Sequence, residues 1–373
     1  MQHHVLPADL RTHWGHQGAY EAGKTIHHDW LGSLLREHGA LQVHHAIRES
    51  PVLPAGAEAN SNVKPPFYYS LRKVIPCPTC YSTELEPLLL ERLVVDPLVL
   101  ERVKVEALLA TSMGLRPSSQ VTIPAELPGG ASMGREIDQR ALPHLEEVKS
   151  ILEPRERLKA IQGVKKVLAS LFEEVVEASP EYEALMGWAK ELGLRVNQVE
   201  VRPTVHEVYL YRDRSTGRAL RKLMGERNRI RRRVQRRPGM DTTAVRFAYP
   251  EEFQEEWVRG LGRLLGYPQC CVDRYARERV QGVNVEERAS RQLKEAQSEG
   301  AVDPYAYYTA YFFPCSPSCP EASKLGREWL QAFQEADPRL GELYKGVLQE
   351  NLERVLRQPE EIRRYLEMFR RRG

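Results

Sequence analysis

The sequence predicts a multidomain α+β protein that is mostly α-helical and contains one small β element. Residues 142–194 place apolar side chains mostly at three- and four-residue steps, the spacing of amphipathic helices. Residues 322–333 and 338–372 show the same spacing. Residues 199–211 are instead β-branched, aromatic and partly alternating, which favours a short hairpin.

Further helices and breaks follow from the local sequence. We expect helices at 29–48, 87–113, 217–237 and 272–279, and one after Pro250 that ends at Gly266. Breaks are predicted at Pro97 and near Pro154, Gly163 and Pro180. Residues 116–134 are rich in Pro, Gly and Ser, which predicts a linker or long loop.

Three domains are predicted from these changes in composition. Residues 1–115 form a His-rich N-terminal region with a Cys-x-x-Cys pair, and residues 135–240 form a helical domain with short strands and an Arg-rich helix. Residues 241–373 form a Cys-rich, metal-binding helical domain.

Composition excludes a disordered chain, because 42% of the 373 residues are hydrophobic and 28% are charged. The net charge of +3 means that any nucleic-acid contact must use a local patch. We find no secretory signal and no apolar run of about 20 residues that could span a membrane. A cytoplasmic protein without a membrane partner is expected, and its reduced cysteines should be ligands or reactive thiols.

Four cysteines form the strongest candidate site. Cys270 and Cys271 are adjacent, and Cys315 and Cys319 follow 43 residues later within a proline-rich segment. Four thiolates suit a tetrahedral zinc ion or a [4Fe–4S] cluster. Because neighbouring side chains are expected to diverge, the adjacent pair favours the iron–sulfur cluster over zinc. Unrelated buried cysteines, or a disulfide or redox pair, remain alternatives.

Aromatic residues precede Cys315. They could shield a metal from solvent, or they could simply belong to a core helix. The six residues are Tyr305, Tyr307, Tyr308, Tyr311, Phe312 and Phe313.

Two motifs together, LGYPQCCVDRY and YFFPCSPSCPEA, resemble an uncharacterised prokaryotic family, domain of unknown function 483, over about residues 245–325. The resemblance brings no activity. It implies that one functional unit contains Gly266, Tyr267, Pro268, Cys270, Cys271, Pro314, Cys315, Ser316 and Cys319.

A second metal site is predicted from Cys77 and Cys80, with His44 and His45 as candidate partners for zinc. The two cysteines could instead approach the main site, act as a redox pair or remain unliganded. Nine of the eleven histidines lie within residues 3–45 and could bind metal, transfer protons or be solvated.

An arginine-rich helix is the candidate nucleic-acid contact. Its apolar side is predicted to pack, while its arginines suit bidentate contact with the phosphates of RNA or another anionic ligand. A solvated helix face is the alternative. The candidate contact residues are Arg218, Arg221, Lys222, Arg229, Arg232, Arg233, Arg236 and Arg237.

Two functions follow from these features. One is an iron–sulfur enzyme acting on RNA or on a sulfur-containing metabolite, with Cys319 or Cys270 as the exchangeable or catalytic thiol. The other is a non-catalytic nucleic-acid-binding or regulatory protein with structural zinc. The sequence does not identify the substrate.

Overall fold

The computed structural model describes residues 87–237 and 249–372, with side-chain burial given for 88–237 and 249–364. The predicted helix at 29–48, the N-terminal histidines and the second metal site at Cys77 and Cys80 lie outside these residues. Within them, the predicted class is confirmed: helices dominate, and one small antiparallel sheet accompanies them.

The sheet has three strands in the order β1–β3–β2, formed by β1 Ser118–Ile123, β2 Arg195–Arg202 and β3 Val205–Tyr211. The predicted hairpin is confirmed as β2 and β3. The prediction that residues 116–134 form a linker or loop is wrong. These residues contain β1, which pairs with β3 from Ser118↔Tyr211 to Ile123↔His206, and the start of the next helix.

The helix predicted at 87–113 is interrupted at Pro97, as expected. Helix α1 spans Pro87–Val95, a π-helical segment spans Val103–Leu109, and α2 spans Ala110–Ser112. Every side chain of the π-helical segment is buried, Lys104 and Glu106 included. Such segments are rare and often lie at functional sites.

Residues 130–194 form three helices: α3 Gly130–Ser150, α4 Pro154–Phe172 and α5 Pro180–Glu191. A π-helical turn, Glu173–Glu177, extends α4. The breaks predicted near Pro154 and Pro180 are confirmed, but the break near Gly163 is wrong. Glycine costs a helix interior only about 1 kcal/mol, which the rest of α4 overcomes.

The remaining helices form the C-terminal part of the chain. They are α6 Arg214–Arg236, α7 Glu255–Leu264, α8 Gln269–Val280, α9 Val285–Ser298, α10 Pro320–Ala336 and α11 Pro338–Arg372. Two 3₁₀ turns, Pro250–Phe253 and Pro304–Tyr307, precede α7 and the cysteine loop. Gly266 ends the segment that contains α7 in the left-handed region, at φ 75°, as predicted.

Two buried clusters hold these elements together. The larger one contains residues from Leu90 to Val355 and includes Cys271 and Cys319. The smaller one packs Leu220 and Leu223 of α6 against Tyr209 of β3 and Trp257 of α7. The division into 1–115, 135–240 and 241–373 stays a prediction. No helix in the described ranges is long and apolar enough to cross a membrane.

Candidate metal centre

The four predicted cysteines meet at one point. Their sulfur atoms all lie within 4.8 Å of one another. Cys270 Sγ lies 3.8 Å from Cys271 Sγ and 3.7 Å from Cys319 Sγ, and Cys271 Sγ lies 3.6 Å from Cys319 Sγ. The expectation that the adjacent pair diverges is therefore wrong. This group can hold a metal ion.

Two helix N-termini position three of the four thiols. Cys270 and Cys271 lie in the first turn of α8, and Cys319 is the residue that caps the start of α10. Helix α8 begins at Gln269, three residues before the predicted start at residue 272. Free N–H groups at helix N-termini favour negative charge, which offsets part of the cost of ionising thiols at this point.

The fourth thiol, Cys315, is carried by the loop before α10. Its backbone N–H donates to Cys271 Sγ at 3.3 Å, which ties the loop to α8. The Ser316 carbonyl accepts from the backbone N–H of Cys319 at 3.1 Å. The two cysteine pairs are thus joined by backbone contacts as well as by their sulfurs.

A buried ionic network fixes the carbonyl groups of this loop. Arg288 donates to the Pro314 carbonyl at 3.1 Å, and Arg274 donates to the Cys315 carbonyl. Both guanidinium groups also contact Glu278, each at 2.7 Å. Groups that orient ligands in this way strengthen metal binding. Sequence reasoning missed all three, since nothing local distinguishes them from other charged helix residues.

The thiols differ in exposure and in pKa. Burial raises the pKa of Cys270 to about 11, although Cys270 is the exposed member of the group. Burial also raises the pKa of Cys271 far above its usual value. Cys319 is buried too, but hydrogen bonds from the Ala322 N–H and the other thiols bring its pKa below the usual value. A bound cation would reverse the cost of ionising the buried thiols, so metal binding should release protons.

Most of the aromatic residues before Cys315 are buried. Tyr307, Tyr308, Phe312 and Phe313 are no more than 6% exposed, whereas Tyr311 is 50% exposed. Apart from Tyr311, these residues belong to the larger core or pack against it, and the six lie in a 3₁₀ turn and a loop, not in a long helix. They share that core with Cys271 and Cys319. Of the two candidate reactive thiols, Cys319 is fully buried and Cys270 faces solvent.

The arginine-rich helix also has the predicted arrangement. Leu220, Leu223, Met224 and Arg227 of α6 are buried, and all eight candidate contact residues are exposed. None of those eight forms an ion pair within residues 87–237 and 249–364. Two other arginines anchor the helix: Arg227 pairs with Glu207 at 2.5 Å, and Arg231 makes two hydrogen bonds to Glu251 at 2.9 and 3.0 Å.

Comparison with known proteins identifies part of the chain. Residues 217–363 match the model of a family described as Protein of unknown function (DUF483). The match confirms the resemblance suggested by the two cysteine motifs and extends it to α6 and α11. No curated protein and no solved structure matches the chain.

Proposed function

We propose that the protein binds RNA through α6. We further propose that the four cysteines bind one zinc ion, which stabilises the fold of the neighbouring helices. The observation that carries this proposal is that the eight cations on and next to α6 are exposed and that none of them pairs with a carboxylate in the described parts of the chain.

The spacing of the sulfurs supports a single ion. A tetrahedral zinc ion with zinc–sulfur bonds of about 2.3 Å holds its ligands about 3.8 Å apart. The separations among the sulfurs of Cys270, Cys271 and Cys319, 3.6 to 3.8 Å, are close to that value, and all four sulfurs lie within 4.8 Å of one another. In a [4Fe–4S] cluster each thiolate binds a different iron, so the sulfurs lie further apart. This is why we now favour zinc over the cluster that the sequence favoured.

The form of α6 supports contact with a phosphate backbone. The segment from Arg218 to Arg236 is about 27 Å long, at about 1.5 Å per residue, and can follow several phosphates. Seven of the eight candidate contact residues are arginines, which contact phosphate oxygens bidentately. Because Arg227 pairs with Glu207 and Arg231 pairs with the buried Glu251, the helix presents this surface in one orientation.

A second candidate is the iron–sulfur enzyme, and the exposure of Cys270 favours it. A ligand that faces solvent is the one that could exchange for a substrate. Anaerobic purification followed by metal analysis separates the two candidates. One zinc per chain in a colourless protein supports the structural site, whereas iron with labile sulfide and a visible absorption band would contradict it.

Binding is tested with fluorescence anisotropy of a labelled 20-nucleotide single-stranded RNA. The triple variant Arg229→Glu/Arg233→Glu/Arg236→Glu should weaken binding at least 100-fold. A matched control, Arg357→Glu/Arg363→Glu/Arg364→Glu, changes the net charge equally on exposed α11 residues already paired with glutamates. Equal losses in both variants would contradict a contact specific to α6, and tighter binding to duplex DNA would contradict RNA as the partner.

A further inference from the structure

A cavity of about 330 Å³ is lined both by a residue of the metal centre and by residues that pair with α6. Cys271 is among the residues that line it, and so are Glu207 and Glu251, the partners of the α6 arginines. Its volume falls at the lower end of the range for small-molecule sites. It is therefore large enough for one planar heterocycle.

Trp257 supplies the first sign of a ligand. Its side chain lines the cavity and the residue is 6% exposed, but its indole Nε1–H finds no hydrogen-bond partner among the residues that the structure describes. A buried indole N–H usually finds an acceptor. A ligand acceptor in the cavity would satisfy it.

Glu252 supplies the second sign. No hydrogen bond reaches its carboxylate from any residue in the described ranges, and its nearest cation, Arg279 Nη2, is 3.5 Å away. Arg279 is shared, since it also pairs with Glu286 and donates to the Tyr275 hydroxyl at 3.0 Å. The Glu252 carboxylate thus has room for two donors from a ligand.

The walls of the cavity suit a flat ring. Tyr267, Tyr275, Tyr311 and Phe312 line it together with Trp257. Aromatic rings stack on bases of any kind, while hydrogen bonds to the base edge select among them. In this cavity the base would be selected by the Glu252 carboxylate, which accepts two hydrogen bonds, and by the Trp257 indole N–H, which donates one.

We propose that the cavity binds a guanine-type base, whose neighbouring N–H and NH₂ groups donate to Glu252 and whose carbonyl accepts from Trp257 Nε1. Adenine and uracil lack this combination of a two-donor edge beside an acceptor. The base could come from a free nucleoside or from an RNA strand. The cavity does not depend on α6 binding RNA, because its own residues make these contacts.

Calorimetric titration with guanosine and inosine at pH 8 tests the proposal, since inosine lacks only the NH₂ group. Guanosine should bind at least tenfold more tightly, the value of one hydrogen bond to a charged group. The variant Glu252→Gln should remove this preference, while the matched control Glu256→Gln, an exposed residue of α7, should retain it. Trp257→Phe should weaken both nucleosides and leave their ratio unchanged, which keeps the test decisive if Glu252→Gln fails to fold.

Binding of oligouridine strands that carry one central guanine or one central inosine distinguishes a base of an RNA strand from a free nucleoside. If the guanine strand binds more tightly than the inosine strand and Glu252→Gln abolishes the difference, the ligand is a base of an RNA strand. If only the free nucleosides show the preference, the ligand is a free nucleoside. The α6 charge-reversal variant should still bind guanosine, so failure of RNA binding is distinguishable from failure here. Absence of nucleoside binding, or equal binding of adenosine and guanosine, would overturn the proposal.

Discussion

The sulfur atoms of Cys271 and Cys319 lie 3.6 Å apart although the two cysteines are 48 positions apart in the sequence. They meet because each lies at the start of a helix, α8 or α10, and both helix N-termini face the same point. A metal at this point would link two distant parts of the chain. It should therefore contribute to folding as well as occupy a site.

Replacing Cys271 with serine should remove the metal and lower the free energy of unfolding by about 3 kcal/mol or more, because a buried ligand is lost. Metal content by mass spectrometry and thermal unfolding would measure both effects. Ser318→Ala, which changes an exposed residue of the same loop, should alter neither. Full metal occupancy in Cys271→Ser would show that this thiol is not a ligand.

The cysteines were predictable because two proline-framed pairs of thiols form a distinctive pattern in the sequence. The exposed cations of α6 were predictable because helical periodicity alone separates Leu220 and Leu223 from Arg221 and Lys222. Strand β1 was not predictable, since Val121 and Ile123 gain their burial by pairing with β3, about 85 residues later. The cavity was hidden for the same reason, because Glu106, Glu252 and Thr309 meet there from distant elements.

Arg288→Lys should weaken metal binding about 10- to 100-fold, the usual loss when a group that orients a ligand is changed. Arginine contacts Glu278, Gln292 and the Pro314 carbonyl at once, and a lysine ammonium cannot reproduce that planar set. Competition with a chelator would measure the affinity. Arg291→Lys, an exposed residue of the same helix, is the control and should retain the native affinity.

The salt dependence of RNA binding should report how many α6 cations contact phosphates. Each contact with a single strand adds about 0.7 to the slope of log K against log salt concentration. The variant Arg229→Gln/Arg233→Gln/Arg236→Gln should therefore lower the slope by about 2, measured by anisotropy at several salt concentrations. An unchanged slope with weaker binding would mean that the substitutions act through the fold.

Glu252 should make stability depend on pH. Burial raises its pKa from 4.5 to about 7; the Arg279 charge opposes that shift, and the Glu286 and Glu251 carboxylates add to it. A carboxyl whose pKa is higher in the folded state stabilises the fold when protonated, and that stability is lost as pH rises from about 4.5 to about 7.

Glu252→Gln should thus raise the melting temperature at pH 8 relative to wild type, by about 2–4 °C for each kcal/mol recovered. At pH 4 the gain should vanish. A gain of equal size at both pH values would exclude titration of Glu252 as the cause, and Glu256→Gln should show no pH-dependent gain.

Gly326 controls how α10 packs, and through α10 the position of Cys319. A Cβ atom at residue 326 would lie 2.2 Å from the backbone carbonyl oxygen of Tyr305, in the 3₁₀ turn that precedes the cysteine loop. The backbone cannot move aside as easily as a flexible side chain, so Gly326→Ala should shift α10 and destabilise the protein by about 1–3 kcal/mol.

Gly346→Ala is the matched control, because nothing lies within 4 Å of its Cβ position in α11, and it should be neutral or stabilising by up to about 1 kcal/mol. Chemical unfolding of both variants, with and without a chelator, would show whether the Gly326→Ala loss includes weaker metal binding. If the two substitutions have equal effects on stability, the close approach of α10 to Tyr305 is not what fixes this helix.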